Sequence, residues 1–224
     1  MKVLGLTSAI KTIGASVVDG HEILSECSVR GQSVQSEKLI VLVEELLNTC
    51  KIKMNDLDAV SVTIGPGSYS GLRGGLATAK GLVEALKIPI IPVSTLHAVA
   101  YNLINSSSTI AVAVNAMRDE YNFALFASNN GKLKRLTKDL IVKLDKITEV
   151  INKINGRIIM AVDERVKDEI NNLNIMFADQ SSVVAWARNV ALIGLDKLEN
   201  KETSDHLSLS PEYSHMPNIR EFSK

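Results

Sequence analysis

AVSVTIGPGSYSGLRGGLATAKGLVEAL, residues 59–86, is the stretch that decides the fold of this 224-residue chain. Its first six residues are rich in β-branched side chains and predict a buried strand, which a Gly-Pro-Gly run ends abruptly. A tight loop then leads into a helix that begins at about Ser70 or Gly71. A strand, loop and helix in this order can bind phosphate, carry a nucleophile or simply reverse the backbone.

The glycine spacing fits neither phosphate-binding motif. A Walker A loop has four residues between its glycines and then Lys and Ser or Thr, whereas three residues separate Gly67 from Gly71 and Leu72 follows. The dinucleotide fingerprint also fails, because the glycines read G-x-G-x-x-x-G from Gly65 and no acidic residue lies near Ile91, about 20 positions on.

The serines of the loop do not form a nucleophile elbow. That motif is G-x-S-x-G, but Ser68 directly follows one glycine and Ser70 directly precedes the next. The pattern favours glycines that permit a turn which other residues could not make. The positions that define this motif loop are Gly65, Pro66, Gly67, Ser68, Gly71 and Arg73.

The helix after the loop has two faces. An apolar stripe suited to a sheet is formed by Leu72, Leu76, Ala79, Val83 and Leu86. A second stripe holds small residues, and each glycine inside a helix costs about 1 kcal/mol relative to alanine, so a compensating close contact is expected. That contact is either a neighbouring helix of the same chain or a helix of a partner subunit.

A second helix, predicted for residues 36–50 with Ser36 as its N-cap, is apolar over an arc of about 160°, wider than one sheet requires. The surplus width favours a helix-to-helix interface between subunits. The predicted interface residues are Leu39, Leu42, Val43, Leu46, Gly71, Gly74, Gly75, Thr78, Gly81, Leu82 and Ala85.

The order of elements predicts an α/β protein of two subdomains. The first, residues 1–106, has strands at 2–6, 15–19, 22–29, 59–64 and 89–94 and helices at 36–50, 70–86 and 95–105. The second, residues 107–200, has strands at 109–114, 122–127, 132–136 and 157–162 and helices at 143–154, after Asp163 and at 182–198. Residues 201–224 are polar, lack periodicity and predict an irregular tail.

Composition bounds the function. Lys and Arg number 25 and Asp and Glu also number 25, so the chain lacks the net positive charge with which proteins hold nucleic acid. No apolar run approaches the roughly 18 residues of a membrane span, and the N-terminus does not read as a signal peptide. Two cysteines without metal-ligand spacing predict a reducing, cytoplasmic location.

Residues 65–82, GPGSYSGLRGGLATAKGL, resemble the GPGSFTGLRIGLATAKGLA motif of the bacterial TsaB (YeaZ) family. Three weaker similarities extend along the chain: residues 35–39 resemble the family's HSExL, residues 115–121 its DARRxEVY and residues 209–213 its LxPxYLR. The resemblance implies an actin-like, Hsp70-like (ASKHA) fold with two duplicated subdomains, each a mixed sheet flanked by helices.

The resemblance also implies a function. It predicts a non-catalytic scaffold of the complex that forms N6-threonylcarbamoyladenosine at position 37 of tRNAs reading codons that begin with A. The implied partners are a TsaD-like catalytic subunit and a TsaE-like ATPase, with a homodimer when the chain is alone and tRNA contacted only through the complex. No cofactor is implied for this chain itself, with ATP or ADP held at the partner interface or by the partner.

Departures from the family pattern weaken the alternative function, an actin-like nucleotide-binding phosphotransferase or ATPase. The family has an Asp after its first strand, where this chain has Thr7 and Ser8, and such an acid organises Mg²⁺ around a nucleotide. Gln35 replaces the family's His, and Asn115 replaces its Asp. No catalytic residue is therefore predicted.

The histidines predict no metal centre. His21, His97, His206 and His215 include no pair at helical spacing, which a metallopeptidase of the H-x-x-x-H type requires. His97, at the start of a predicted helix, is interpreted as a surface or capping residue.

Overall fold

The computed structural model describes residues 1–10, 12–30, 36–163, 166–167, 170 and 175–215. The first half contains β1 (Lys2–Ile10), β2 (Thr12–Asp19), β3 (Glu22–Arg30), α1 (Leu39–Cys50), β4 (Ala59–Gly65), α2 (Tyr69–Leu86), β5 (Ile90–Ser94) and α3 (Thr95–Ala100). The second half contains β6 (Thr109–Met117), β7 (Glu120–Asn129), β8 (Lys132–Arg135), β9 (Leu140–Lys143), α4 (Leu144–Ile151), β10 (Ile158–Val162), β11 (Ile175–Phe177) and α5 (Ala187–Glu199).

The first sheet has the strand order β3-β2-β1-β4-β5. Strands β1, β2 and β3 form an antiparallel meander, whereas β1, β4 and β5 are parallel and need helical crossovers. Every residue of β4 is buried, as its β-branched sequence predicts for a strand covered on both faces.

The second sheet repeats this topology. Its order is β11-β10-β6-β7-β8, with β9 also paired to β7. Strands β6, β10 and β11 are parallel, and β7 is antiparallel to β6 in the place that β2 takes beside β1. Each half therefore has an antiparallel meander followed by two parallel strands on the other side of its first strand, which confirms the predicted duplicated, actin-like fold.

Helix α5 follows the second sheet in sequence but packs on the first. Ala191 and Leu195 of α5 form one apolar cluster with Val3, Val18 and Ala59. The opposite face of the first sheet is covered by α1 and α2, whose leucines and valines pack with Leu4, Leu6, Val60 and Val62. Val190 and Ile193 of α5, with Leu96 and Val99 of α3, pack against the second sheet, so α3 and α5 lie between the two sheets.

Several predicted bounds were wrong. Helix α5 begins at Ala187 and not at residue 182, because residues Gln180–Ser182 form a 3-10 turn and Trp186 has an extended backbone. Helix α3 ends at Ala100 and passes into a 3-10 turn, Tyr101–Leu103. The short strands β9 and β11 were not predicted.

Some predictions lie partly or wholly outside the described residues. They are the helix after Asp163, Gln35 in the family-like segment, and the tail beyond His215. Helix α1 begins at Leu39, after a 3-10 turn, Ser36–Lys38, so its N-cap position is Lys38 and not Ser36 as predicted. Lys38 makes no side-chain cap. Within the described part of the chain, no helix combines the length and the apolar character that crossing a membrane needs.

Candidate functional site

Backbone atoms from other segments of the chain occupy the space beside the glycine-rich loop between β4 and α2. Gly65 has φ +139°, and a Cβ there would overlap the carbonyl of Glu212. A Cβ at Gly67 would overlap the carbonyl of Ala9 near the end of β1, and the Ser68 amide donates to that same carbonyl at 2.6 Å. The loop glycines therefore permit close packing of three chain segments.

Ser68 acts as the N-cap of α2. Its Oγ accepts from the Gly71 amide at 3.4 Å and lies 3.5 Å from the Ser70 hydroxyl. Neither a histidine nor a carboxylate hydrogen-bonds to this hydroxyl in the described part of the chain. The side chain thus satisfies a helix end, in agreement with the motif mismatch that argued against a nucleophile.

Arg73 is held on the surface by aromatic rings. Its guanidinium donates to the Tyr69 hydroxyl at 2.8 Å and lies 5.0 Å from the centre of that ring. Tyr69 in turn packs against Tyr213, with ring centres 4.7 Å apart. This arrangement joins the start of α2 to the end of the described chain.

The C-terminal segment, residues 204–215, is irregular but anchored along its length. Ser204 forms an isolated bridge with Ile90, and the Glu212 amide donates to the Ile64 carbonyl at 2.7 Å. Ser214 donates to Asn122 on β7 at 2.7 Å. The segment therefore fastens the glycine-rich loop of the first half to the second sheet.

Helices α1 and α2 lie on the same side of the first sheet and present an outer surface that we term the α1/α2 face: Ile40, Val41, Gly74, Ala77, Thr78, Gly81 and Ala85. Ile40 and Val41 are 45% and 50% exposed, although both are large apolar residues. A Cβ at Gly81 would meet no atom within 4 Å. The Thr78 hydroxyl donates to the Gly74 carbonyl at 3.0 Å, so it is satisfied within its own helix.

The structure corrects the predicted interface. Leu39, Val43 and Leu46 are buried against their own sheet, and Leu82 is buried in the same cluster. Leu42 is also buried. Gly71 and Gly75 face Ser8 in β1, where a Cβ would overlap the backbone or the hydroxyl of that residue. Of the predicted residues, Gly74, Thr78, Gly81 and Ala85 reach the outer surface of α2.

A cavity of about 580 Å³ lies between the end of β1 with the start of β2 and the carboxyl ends of β6 and β10. It is lined by Ile10, Thr12, Arg30, Val114, Asn115, Tyr121, Asp163, Val166, Gln180, Val183 and Val184. Two of its polar groups already have partners, because Asn115 accepts from the Met117 amide at 2.9 Å and Gln180 donates to the Val162 carbonyl at 3.0 Å. The volume suffices for a small molecule.

His97 was wrongly interpreted as a surface residue. Its backbone amide donates to the Ser94 hydroxyl that caps α3, but its partly buried ring stacks on Phe126 with centres 5.5 Å apart. Burial, reinforced by the positive charges of Arg135 and Lys197, lowers the pKa of His97 to about 3. The ring is therefore a neutral packing element at the junction of the two halves.

The comparisons with known proteins agree with these features. The model of the family described as TsaD: tRNA N6-adenosine threonylcarbamoyltransferase matches residues 32–205. The chain is 29% identical over 153 residues to the tRNA threonylcarbamoyladenosine biosynthesis protein TsaB of Bacillus subtilis, covering 68% of this chain and 67% of that relative. The structure of YeaZ from Pseudomonas aeruginosa superposes with a TM-score of 0.81 at 16% identity, covering 95% of this chain and 99% of that one. The chain belongs to the TsaB (YeaZ) family.

The structure is also similar to more distant proteins of the actin-like fold. An activator of 2-hydroxyisocaproyl-CoA dehydratase from Clostridium difficile, solved with bound ADPNP, superposes with a TM-score of 0.51 at 14% identity, over 92% of this chain and 99% of that one. In this chain the described lining of the cavity includes one cation, Arg30, and one carboxylate, Asp163. The Thr7 hydroxyl is buried without a hydrogen-bond partner among the described residues.

The sequence missed two parts of the candidate site. Val41 and Ala77 belong to the α1/α2 face, yet the helix pattern gave them no role; a search for large apolar residues outside the buried stripe would have found Val41. Arg30 and Gln180 both line the cavity although they are 150 residues apart in the sequence, and no local sequence pattern predicts this.

Proposed function

We propose that this chain is a non-catalytic scaffold subunit of the complex that forms N6-threonylcarbamoyladenosine at position 37 of tRNAs reading codons that begin with A. It pairs with a TsaD-like catalytic subunit through the α1/α2 face. The observation that carries the proposal is this face: Ile40 and Val41 of α1 are exposed, and the neighbouring helix α2, packed in the same apolar cluster as α1, exposes Ala77, Gly81 and Ala85.

The surface chemistry suits a helix of a partner. Gly81 has open space above it, so a second backbone can approach α2 closely, as small residues permit in helix pairs. Exposed large apolar residues next to such a surface gain free energy when a partner covers them, by about 25 cal/mol for each Å² of apolar area removed from water. The same face serves a homodimer when the partner is missing.

The described residues of the motif loop make structural contacts, and this supports the scaffold role. Ser68 caps a helix, Arg73 is engaged by Tyr69, and the carbonyls of Ala9 and Glu212 fill the space above Gly67 and Gly65. A loop occupied in this way has no room for a phosphate or an acyl group. Catalysis therefore belongs to the TsaD-like partner, with a TsaE-like ATPase joining the complex.

The charge balance places tRNA contact elsewhere in the assembly. Equal numbers of basic and acidic residues leave no net positive charge for the phosphate backbone, so tRNA binds through the complex. Any ATP or ADP is held by the partner or at the interface with it, and the complex works in the cytoplasm.

The deciding experiment replaces Gly81 by leucine and measures binding to the cognate TsaD-like subunit by titration calorimetry. Because nothing surrounds Gly81 in the isolated chain, Gly81→Leu folds normally but holds the partner away, and affinity falls at least tenfold, about 1.4 kcal/mol. Lys146→Leu on α4 is the matched control, since it adds the same side chain to an exposed helix far from the face. Absence of a wild-type complex, or equal binding and tRNA modification by Gly81→Leu, contradicts the proposal.

The cavity between the halves favours a second candidate, a nucleotide-binding phosphotransferase or ATPase of the actin-like class. Its volume of about 580 Å³ is the observation in favour. Against it are the single cation, Arg30, among the described lining residues and Thr7 in the place of the acid in the family's motif. We expect no Mg²⁺-dependent ATP turnover by the isolated chain above a heat-treated blank. Turnover that disappears in Asp163→Asn would establish the second candidate in place of the first.

A further inference from the structure

Three potential metal ligands converge on the far side of the first sheet from the α1/α2 face. His21 lies in the turn between β2 and β3, and Asp196 and Glu199 lie on α5. One ligand atom from each side chain lies within 4.8 Å of the other two. The residues come from opposite ends of the chain, and the packing of α5 on the sheet brings them together.

The elements that carry these side chains are well fixed. Asp196 and Glu199 are three residues apart and so share one face of α5. Leu195, next to Asp196, packs in the same apolar cluster as Val18 near the end of β2. The turn that holds His21 begins at Gly20, whose φ is +56°. The backbone thus presents the three side chains together before any ligand arrives.

The charges of this group are not balanced by other side chains. None of the three makes an ion pair or a side-chain hydrogen bond with the described residues, whereas Asp19 in the same hairpin pairs with Lys2 at 3.1 Å. Two adjacent carboxylates without a cation are unfavourable, and a positive ligand would relieve their repulsion.

One imidazole nitrogen and two carboxylate oxygens are a ligand set for a divalent transition-metal ion. Zn²⁺ binds three such protein ligands at about 2.0–2.2 Å and keeps a fourth position for water. Ca²⁺ and Mg²⁺ prefer oxygen alone, so the imidazole selects against them. We propose that His21, Asp196 and Glu199 bind a divalent transition-metal ion, with Zn²⁺ as its probe, and that the ion ties α5 to the β2–β3 turn.

This site is structural and lies apart from the motif loop and the cavity. The histidine spacing predicts no metal centre because it can indicate only pairs on one helix. Asp196 and Glu199 are 175 and 178 residues from His21 in the sequence. The side chains are exposed, so they can adjust from the present spacing to the separation of about 3.4 Å that tetrahedral Zn²⁺ ligands have.

The test is calorimetric titration of the full chain with ZnCl₂. We expect one equivalent to bind the wild type, and His21→Ala and Glu199→Gln each to weaken binding at least about tenfold. His206→Ala is the matched control, because it removes another partly exposed imidazole and leaves the three ligands in place. Zn²⁺ at a hundredfold excess over Kd should raise Tm by about 5 to 10 °C in the wild type and in His206→Ala only.

Equal Zn²⁺ affinity in the wild type and in both ligand variants overturns the proposal. So does binding that is lost in Cys27→Ser or Cys50→Ser and kept in His21→Ala, because the free thiols would then be the ligands. Circular dichroism verifies that each variant is folded. If His21→Ala does not fold, Glu199→Gln alone decides the outcome, since it keeps the size of the side chain and removes only its charge.

Discussion

Gly75 lies where helix α2 packs against β1, and its missing side chain makes room for Ser8. The buried Ser8 hydroxyl donates to the Gly71 carbonyl at 2.8 Å, and a Cβ at Gly75 would overlap that hydroxyl. We expect Gly75→Ala to displace the hydroxyl and lower the free energy of unfolding by about 1 to 3 kcal/mol, measured by urea denaturation.

Gly81 on the same helix is the matched control for Gly75. Its Cβ would meet nothing, so Gly81→Ala should raise the free energy of unfolding by about 0.5 to 1 kcal/mol through helix propensity. Adding Ser8→Ala to Gly75→Ala should recover part of the loss, because the overlapping group is gone. Equal effects of the two glycine substitutions would contradict the close approach at Gly75.

His97 should make stability depend on pH. Its pKa is about 3 in the folded chain and 6.5 at its ordinary value, so below pH 6.5 the unfolded chain binds a proton that the folded chain refuses. Stability is therefore full above pH 6.5 and is lost as the pH falls toward 3. Between pH 7 and pH 5 we expect a loss of about 1 to 2 kcal/mol from this residue.

The measurement for His97 is urea denaturation at both pH values. His97→Gln is the control, since glutamine stays neutral and the other histidines are unchanged. The variant should lose less stability than the wild type over this interval, and identical losses in the two proteins would show that the ring is not the responsible group.

Among the elements, the C-terminal segment is the one that the sequence described least well. Its lack of periodicity predicted an irregular tail, yet Tyr213 packs on Tyr69 and fixes the segment against α2. Tyr213→Ala should lower the free energy of unfolding by about 0.5 to 1.5 kcal/mol and speed proteolysis near residue 210. Tyr213→Phe keeps the ring contact and should behave as the wild type; a phenylalanine variant as weak as the alanine variant would contradict this account.

The elements also show why sequence patterns succeed in one place and fail in another. The strand β4, the loop and α2 were predicted because their signals are local: a β-branched run, a glycine turn and a helical stripe. Strands β9 and β11, of four and three residues, are too short for periodicity to register. The α1/α2 face was only half predicted, because periodicity identifies an apolar stripe and cannot say which part of a wide stripe its own sheet covers.

At the scale of the whole molecule, α5 joins the two halves, because it follows the second sheet in the sequence but packs on the first. Ser61 on β4 donates to the Val190 carbonyl of α5 at 2.9 Å, and a Cβ at Gly194 would overlap the Ser61 side chain. Such a close approach between residues about 130 positions apart is a tertiary contact that no local pattern contains. The order of elements in the first half could be predicted from local patterns, but the packing of α5, which completes that half, could not.

Because α5 covers one face of the first sheet, we expect that residues 1–106 do not fold alone. Without α5, the fragment exposes Val3, Val18, Ala59 and Ile91 on one face of its sheet. Each fully buried aliphatic side chain contributes about 1.5 to 3 kcal/mol, so the loss approaches the 5 to 15 kcal/mol that stabilises a typical domain. The fragment should bind the dye ANS and give a poorly dispersed ¹H–¹⁵N spectrum, whereas the full chain gives a dispersed one.

The control is the same fragment joined through a flexible linker to residues 183–215, which restores α5 and the C-terminal segment without the second sheet. Because α5 covers the exposed face of the first sheet, the fusion should regain a dispersed spectrum and lose its dye binding. Dispersed spectra from residues 1–106 alone would mean that the first sheet is stable without its second cover. If folding requires the second sheet itself, both residues 1–106 alone and the fusion should fail to give dispersed spectra.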